Sequence, residues 1–146
     1  MSMYKTVLVG IDGSEPSLNA FNVALEMAKK FGSKLLIVTV YSPPAIGLLG
    51  DIPPYPPTIP KEVSERMEKL LKELEEKAKK EGVNAESKII SSWVNPGAGL
   101  VTEAEKQDCA LIVIGSRGLT GLKRALLGSI ADYVVKNAHC SVHVVR

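Results

Sequence analysis

The sequence has little cysteine, few aromatic residues and no long uninterrupted hydrophobic run. Its 146 residues include two cysteines and one tryptophan, and aromatic residues make up 5%. Two cysteines without metal-ligand spacing argue against a zinc site or a disulfide framework. No hydrophobic segment reaches the roughly 20 residues that a transmembrane helix needs. The first residues also lack a signal-peptide pattern. These absences predict a cytoplasmic protein that does not associate with membranes.

Neither positive nor negative charge dominates the composition. The formal net charge is +2, with 45% hydrophobic and 23% charged residues. Such a mild balance does not favour nucleic acid or an anionic membrane surface as a partner. The length suits one domain with a sizeable hydrophobic core. We therefore expect residues 1–146 to form a single domain.

Apolar runs and amphipathic segments alternate along the chain. Short runs rich in β-branched residues predict buried strands, and 3.6-residue periodicity predicts helices between them. Ser14 is a candidate N-cap and Gly32 a candidate stop for the first helix. Five strands alternating with four helices predict an α/β, doubly wound domain. The predicted elements are strand Thr6–Ile11, helix Glu15–Phe31, strand Lys34–Tyr41, helix Lys61–Glu81, strand Ala85–Trp93, helix Ala98–Gln107, strand Ala110–Ile114, helix Ser129–Ala138 and strand Ser141–Arg146.

Residues 42–60 interrupt this alternation. Seven of the nine prolines fall in this stretch, which excludes a helix interior or a central strand. A loop of this length is usually functional or disordered. Two interpretations stay open: a lid or partner surface over the sheet's carboxyl edge, or a mobile insertion.

Residues 110–131 form the most informative stretch. An apolar run ends at Gly115, a glycine-rich loop follows, and Gly128-Ser129 begins a new helical pattern. No Asp or Glu occurs from Cys109 to Ala131, whereas Arg117 and two other basic residues do. Glycines and a helix N-terminus present backbone amides to an anion, so the stretch is a candidate phosphate cradle. The alternative is a simple sharp turn. Neither a P-loop nor a Gly-x-Gly-x-x-Gly fingerprint is present.

The spacing of these glycines resembles a known family. Gly115-x-x-Gly118, nine residues and then Gly128-Ser129 is similar to the nucleotide-binding signature of the universal stress protein family, in its ATP-binding subgroup. The first and last predicted strands also resemble that family's strands. Two departures are Asn95-Pro-Gly-Ala, where the family usually has Gly-x-Pro-Ala, and Ser141, where it commonly has proline.

The resemblance implies a fold and a ligand site. It implies a single Rossmann-like domain with a five-stranded parallel sheet of order 3-2-1-4-5 and four helices. It also implies bound ATP, or AMP or ADP, with Mg²⁺ or Mn²⁺ held through the phosphates. The implied site residues are Gly10, Ile11 and Val40 at the base, Asp12 and Gly115 at the ribose, Gly118, Gly128, Ser129 and Ile130 at the phosphates, and Ser116 and Arg117 on the nearby loop. Asp12 has a second interpretation, as a cap or dipole partner of the first helix.

The sequence favours a regulatory function over an enzymatic one. Its two histidines lack a catalytic partner at a suggestive spacing, and no Walker-type lysine is present, so we assign no catalytic or metal-ligating residue. We expect a nucleotide-dependent stress-response protein with slow ATP hydrolysis or none. An enzyme of adenylate chemistry stays open as the alternative, and a phospho-receiver domain lacks its acceptor aspartate. Residues 142–146 predict an apolar edge strand, through which a homodimer is expected.

Overall fold

In the computed structural model of the chain, the residues described are 3–42, 59–92, 95–117 and 127–146. Within these ranges, five strands and four helices alternate along the sequence. The elements are β1 (Thr6–Gly10), α1 (Glu15–Phe31), β2 (Lys34–Tyr41), α2 (Lys61–Lys80), β3 (Ala85–Ser91), α3 (Pro96–Lys106), β4 (Leu111–Gly115), α4 (Ser129–Asn137) and β5 (Ser141–Val145).

The five strands form one parallel sheet in the order β3-β2-β1-β4-β5. This confirms the doubly wound fold and the strand order that the family resemblance implied. The order reverses between β1 and β4, so their carboxyl ends meet at the switch point where ligands of such sheets bind. β3 and β5 lie at the two edges of the sheet, and the position of β5 agrees with the predicted edge strand.

Each face of the sheet has its own hydrophobic core. Side chains of successive strand residues alternate between the faces. Val7 and Val9 of β1 therefore pack with Phe21 and Leu71 from α1 and α2, while Leu8 packs with Leu100 from α3. All three β1 residues are fully buried. Helices on both faces explain why the central strands are almost continuously apolar.

Local signals set the ends of α1. The Ser14 side chain accepts a hydrogen bond from the Ser17 amide, and Gly32 ends the helix in the left-handed conformation at φ 66°. A left-handed residue without a Cβ carries no steric penalty, which is why glycine suits this position. Both predicted caps are confirmed.

The ends of several other elements differ from the predicted ones by one or two residues. α3 begins at Pro96 rather than Ala98, because the Asn95 side chain accepts a 2.8 Å hydrogen bond from the Ala98 amide and so acts as the N-cap. Proline is tolerated at the first helical position, where its missing N–H has no intrahelical partner to lose. β3 ends at Ser91, two residues before the predicted Trp93.

Two sequence features fall wholly or mainly outside the described residues. Positions 43–58 contain most of the proline-rich segment, so both interpretations of that loop stay predictions. Positions 118–126 contain Gly118 and two of the three basic loop residues. None of the helices within the described ranges is both long and apolar enough to cross a membrane.

Candidate functional site

A cavity of about 410 Å³ opens at the carboxyl edge of the sheet. Its walls come from the ends of β1, β2 and β4, the first turn of α4, and side chains of α2 and α3. The cavity therefore lies at the switch point, where the strand order reverses.

The cavity brings together most of the residues that the sequence implied. Nine of the eleven candidates line it: Gly10, Ile11, Asp12, Val40, Gly115, Arg117, Gly128, Ser129 and Ile130. Ser116 does not line it, and Gly118 lies outside the described residues. Residues that are up to 120 positions apart in the chain thus line the same cavity, as expected from parallel strands that end at one edge of the sheet.

Asp12 follows β1 and is half-buried in the cavity wall. Its Oδ1 accepts hydrogen bonds from the Ser14 amide, at 2.9 Å, and from the Ser14 hydroxyl. Its own amide donates to the Ser17 hydroxyl at 3.3 Å. The carboxylate therefore organises the turn into α1, in line with its second interpretation. It also borders the cavity, so the structure permits a ligand contact as well.

The first turn of α4 presents backbone amides without intrahelical partners. The first helical hydrogen bond runs from the Asp132 amide to the Gly128 carbonyl, at 2.8 Å, and no side chain of the described residues caps the helix. The amides of Ser129, Ile130 and Ala131 precede that bond, and all three residues line the cavity. Amides without intrahelical partners and the positive end of the helix dipole make this turn suited to an anion.

The Gly128 amide, unlike the amides that follow it, is bonded to the end of β4. It donates a 2.7 Å hydrogen bond to the Ser116 carbonyl, which ties the start of α4 to the end of β4. The Ser116 amide in turn donates to the Val145 carbonyl of β5 at 2.7 Å. Gly128 and Ser116 therefore position the helix start, and the amides open to a ligand begin at Ser129.

Gly115 is required by packing against α1. A Cβ at this position would lie 3.0 Å from the Pro16 carbonyl oxygen and 3.1 Å from the Pro16 carbonyl carbon. Backbone atoms cannot shift as easily as the end of a side chain, so a larger residue would push β4 and α1 apart. Close approach of these two elements brings the end of β4 beside the cavity.

Several lining residues were not anticipated from the sequence. Met67 of α2 and Leu100 of α3 add apolar walls from opposite faces of the sheet. Thr39 of β2 is 4% exposed, and its hydroxyl is the buried side-chain polar atom that lacks a hydrogen-bond partner in the described part of the chain. One signal was available for Thr39, namely a polar residue inside the otherwise apolar run Leu35–Val40.

The charges that border the cavity are few. Asp12 is the carboxylate and Arg117 the cation among its described lining residues. No group of three or more His, Cys, Asp or Glu side chains that could hold a metal ion occurs in the ranges that the structure covers. The cavity therefore combines largely apolar walls near β2 with amide donors and one cation near α4.

The comparisons with known proteins agree with this fold. A model of the universal stress protein family matches residues 3–146. The chain belongs to the universal stress protein family. A universal stress protein of Methanocaldococcus jannaschii is 35% identical over 146 residues, covering 99% of this chain and 84% of the relative. One from Bacillus subtilis is 34% identical over 152 residues, covering 99% and 100%.

Solved universal stress proteins also share the architecture. One that was crystallised in complex with cAMP superposes with a TM-score of 0.76 at 28% identity and covers 99% of both chains. Another, from Burkholderia pseudomallei, gives a TM-score of 0.77 at 25% identity and covers 99% of this chain and 98% of the other. The family membership that the glycine spacing suggested is therefore confirmed.

Proposed function

We propose that this universal stress protein binds an adenine nucleotide, with ATP as the ligand, and acts as a nucleotide-dependent regulatory protein. One observation carries the proposal: the cavity at the switch point joins the carboxylate of Asp12 to the uncapped first turn of α4. A nucleotide needs both an acceptor for its sugar hydroxyls and donors for its phosphates. The solved relative in complex with cAMP supports the choice of an adenine nucleotide.

The order of the strands supports one direction for the proposed ligand. β2, β1 and β4 are consecutive in the sheet, and neighbouring strands lie about 4.8 Å apart. With the phosphates at the first turn of α4, beside the end of β4, the ribose lies at Asp12 after β1. The base then lies at the end of β2, where the backbone of Val40 can read its edge.

We expect Mg²⁺ or Mn²⁺ to enter with ATP. Such ions are ligated mainly by phosphate oxygens and water in nucleotide sites. Arg117 lines the cavity and would offset part of the phosphate charge.

Slow hydrolysis or none is the expected consequence of this site. Asp12 is the carboxylate that borders the cavity in the described residues, and its Oδ1 is already bonded to the amide and hydroxyl of Ser14. A hydrolase needs a group positioned to activate water and further charge on the transferring phosphoryl group. Binding without rapid turnover suits a protein whose occupancy, rather than its product, carries the signal.

A homodimer through β5 is part of the proposal. This strand lies at the edge of the sheet and is bonded to β4 on one side. An apolar edge strand can pair with the same strand of a second copy, which would satisfy its outward backbone groups.

The direct test is titration calorimetry of the purified protein with ATP, with mass spectrometry of any nucleotide released by heat denaturation. The matched variants are Ser129→Pro and Ser129→Ala. Proline removes the Ser129 amide donor at a helical position that tolerates it, and Gly128 already has the extended backbone (φ −62°, ψ 156°) that precedes proline. Alanine removes the hydroxyl and keeps the amide.

We expect ATP binding in the parent chain, a loss of about tenfold in affinity for Ser129→Pro and a much smaller loss for Ser129→Ala. Absence of ATP binding to the parent chain would refute the proposal. Release of AMP and pyrophosphate at tens of turnovers per second would instead favour an enzyme of adenylate chemistry.

A further inference from the structure

Thr39 places a polar group between two valines, Val38 and Val40, in the wall that β2 contributes to the cavity. The residue is 4% exposed, and its hydroxyl has no hydrogen-bond partner among the described residues. An unpaired buried hydroxyl destabilises a folded protein, since it gives up its bonds to water without replacement. Valine would fill the same volume without that penalty. The position therefore carries an energetic defect in the unliganded protein.

The neighbouring hydroxyl does not remedy this defect. Ser17, which also lines the cavity and is 5% exposed, donates its hydroxyl to the Ser14 carbonyl at 2.9 Å and accepts from the Asp12 amide at 3.3 Å. Its hydrogen-bonding capacity is directed at the turn before α1. The side chain that α2 contributes to the cavity is that of Met67, a thioether. A thioether is only a weak acceptor.

We propose that the Thr39 hydroxyl hydrogen-bonds the base of the bound nucleotide, and this inference rests on the proposed nucleotide site. Thr39 immediately precedes Val40 on β2, two strands away from β4 and the first turn of α4. At about 4.8 Å per strand, the phosphates at α4 are beyond the reach of this side chain. The base is the part of the ligand that lies at β2.

The side chain can reach the ligand by a small movement. The hydroxyl oxygen is buried, while the residue itself lines the cavity. The hydroxyl and the methyl group branch from the same Cβ, so a rotation of about 120° about the Cα–Cβ bond can bring the hydroxyl to the position that the methyl group holds. A hydroxyl both donates and accepts, so it can pair with a ring nitrogen or with an exocyclic amine.

The test compares Thr39→Val, Thr39→Ser and the control Thr6→Val. Thr6 lies at the start of β1, at the opposite end of the sheet from the cavity, and does not line it. Affinity for ATP and AMP is measured by calorimetry, and the melting temperature is measured without ligand. We expect Thr39→Val to bind both nucleotides about tenfold more weakly, and Thr39→Ser to bind within about twofold of the parent chain.

The unliganded Thr39→Val protein is expected to melt at the same temperature as the parent chain or higher, since it loses an unpaired buried hydroxyl. Affinity would then fall without any loss of stability, which a purely structural residue would not produce. Thr6→Val should leave affinity unchanged.

Two results would overturn the inference while leaving the nucleotide site intact. The first is equal ATP affinity for the parent chain and Thr39→Val. The second is a loss confined to ATP and absent for AMP, because that would assign the hydroxyl to the outer phosphates. If the parent chain binds neither nucleotide, the proposed function itself fails.

Discussion

The Gly128 amide lies 2.7 Å from the Ser116 carbonyl oxygen and donates a hydrogen bond to it. This bond joins the end of β4 to the start of α4 across the segment 118–126. It leaves the next amides, of Ser129 and Ile130, as the first donors available at the cavity. The two residues thus set which amides of α4 are the first available at the cavity.

Amide hydrogen exchange should show this division of roles. With saturating ATP, we expect exchange at Ser129 and Ile130 to slow by about tenfold or more, because a phosphate then occupies these donors. Exchange at Asp132 should change less, since its amide already donates to Gly128 at 2.8 Å. Exchange measured residue by residue by NMR provides the test. Equal slowing at all three positions would indicate general stabilisation of α4 instead.

Replacement of Asp12 should weaken binding through the sugar. In Asp12→Asn, we expect a loss of about tenfold in ATP affinity, because a charge-assisted hydrogen bond becomes a neutral one. The loss should disappear when 2′,3′-dideoxy-ATP is titrated, since that ligand lacks both ribose hydroxyls. Glu15→Gln provides the control, because it removes one charge from the exposed first turn of α1. An equal loss of affinity for the dideoxy ligand would show that Asp12 acts only by organising the turn before α1 and does not contact the sugar.

The edge of β5 offers a selective test of dimer formation. Val145 bonds to Ser116 through its carbonyl and pairs in register with Gly115, so its backbone groups point toward β4. Backbone groups of successive strand residues point to opposite sides, so the N–H and carbonyl of Val144 point to the open edge of the sheet. Val144→Pro removes an outward N–H, and we expect the dissociation constant of the dimer to rise about tenfold.

Val144→Ala is the matched control, because it shortens the side chain and retains the N–H. Multi-angle light scattering over a dilution series measures both variants. A parent chain that is monomeric at micromolar concentration would contradict the dimer, and an equal effect of both variants would assign it to side-chain packing.

Glu103 should make stability sensitive to acid. Its side chain is 4% exposed on α3 and accepts hydrogen bonds from Lys88, at 3.0 Å, and Gln107, at 2.9 Å. Burial by itself would raise the pKa of Glu103, but the bonds to Gln107 and Lys88 outweigh it and hold the pKa below its usual value. The ionised Glu103 side chain therefore stabilises the folded protein fully above the unfolded pKa of about 4.3. This stabilisation is lost as the pH falls through the lower pKa of the folded state.

Urea unfolding at pH 7 and at pH 3 tests this contribution. We expect Glu103→Gln to cost about 2 kcal/mol at pH 7 and much less at pH 3, where the parent carboxyl is itself protonated. Glu105→Gln, at an exposed position on the same helix, is the control. A cost for Glu103→Gln that does not depend on pH would show that the carboxylate charge does not contribute.

Local physical chemistry explains why so much of the fold could be predicted. Ser14 and Gly32 bound α1 through contacts that lie within a few residues, so their sequence pattern is sufficient. α3 begins two residues before the predicted Ala98, because the Asn95 side chain caps the helix by accepting a hydrogen bond from the Ala98 amide. The strand order depended on the family resemblance, since periodicity does not state which strands become neighbours.

The sequence by itself determined the alternation of strands and helices, the burial of both sheet faces and the glycine spacing that marks the family. These depend on interactions between residues close in the chain or on hydrophobic pattern. Only the tertiary structure decided that the Gly128 amide is bonded to Ser116, that Gly115 is required by Pro16 and that the Thr39 hydroxyl has no partner among the described residues. Each of these depends on atoms that are distant in sequence. They meet only when the strands have paired into the sheet and the helices have packed against it.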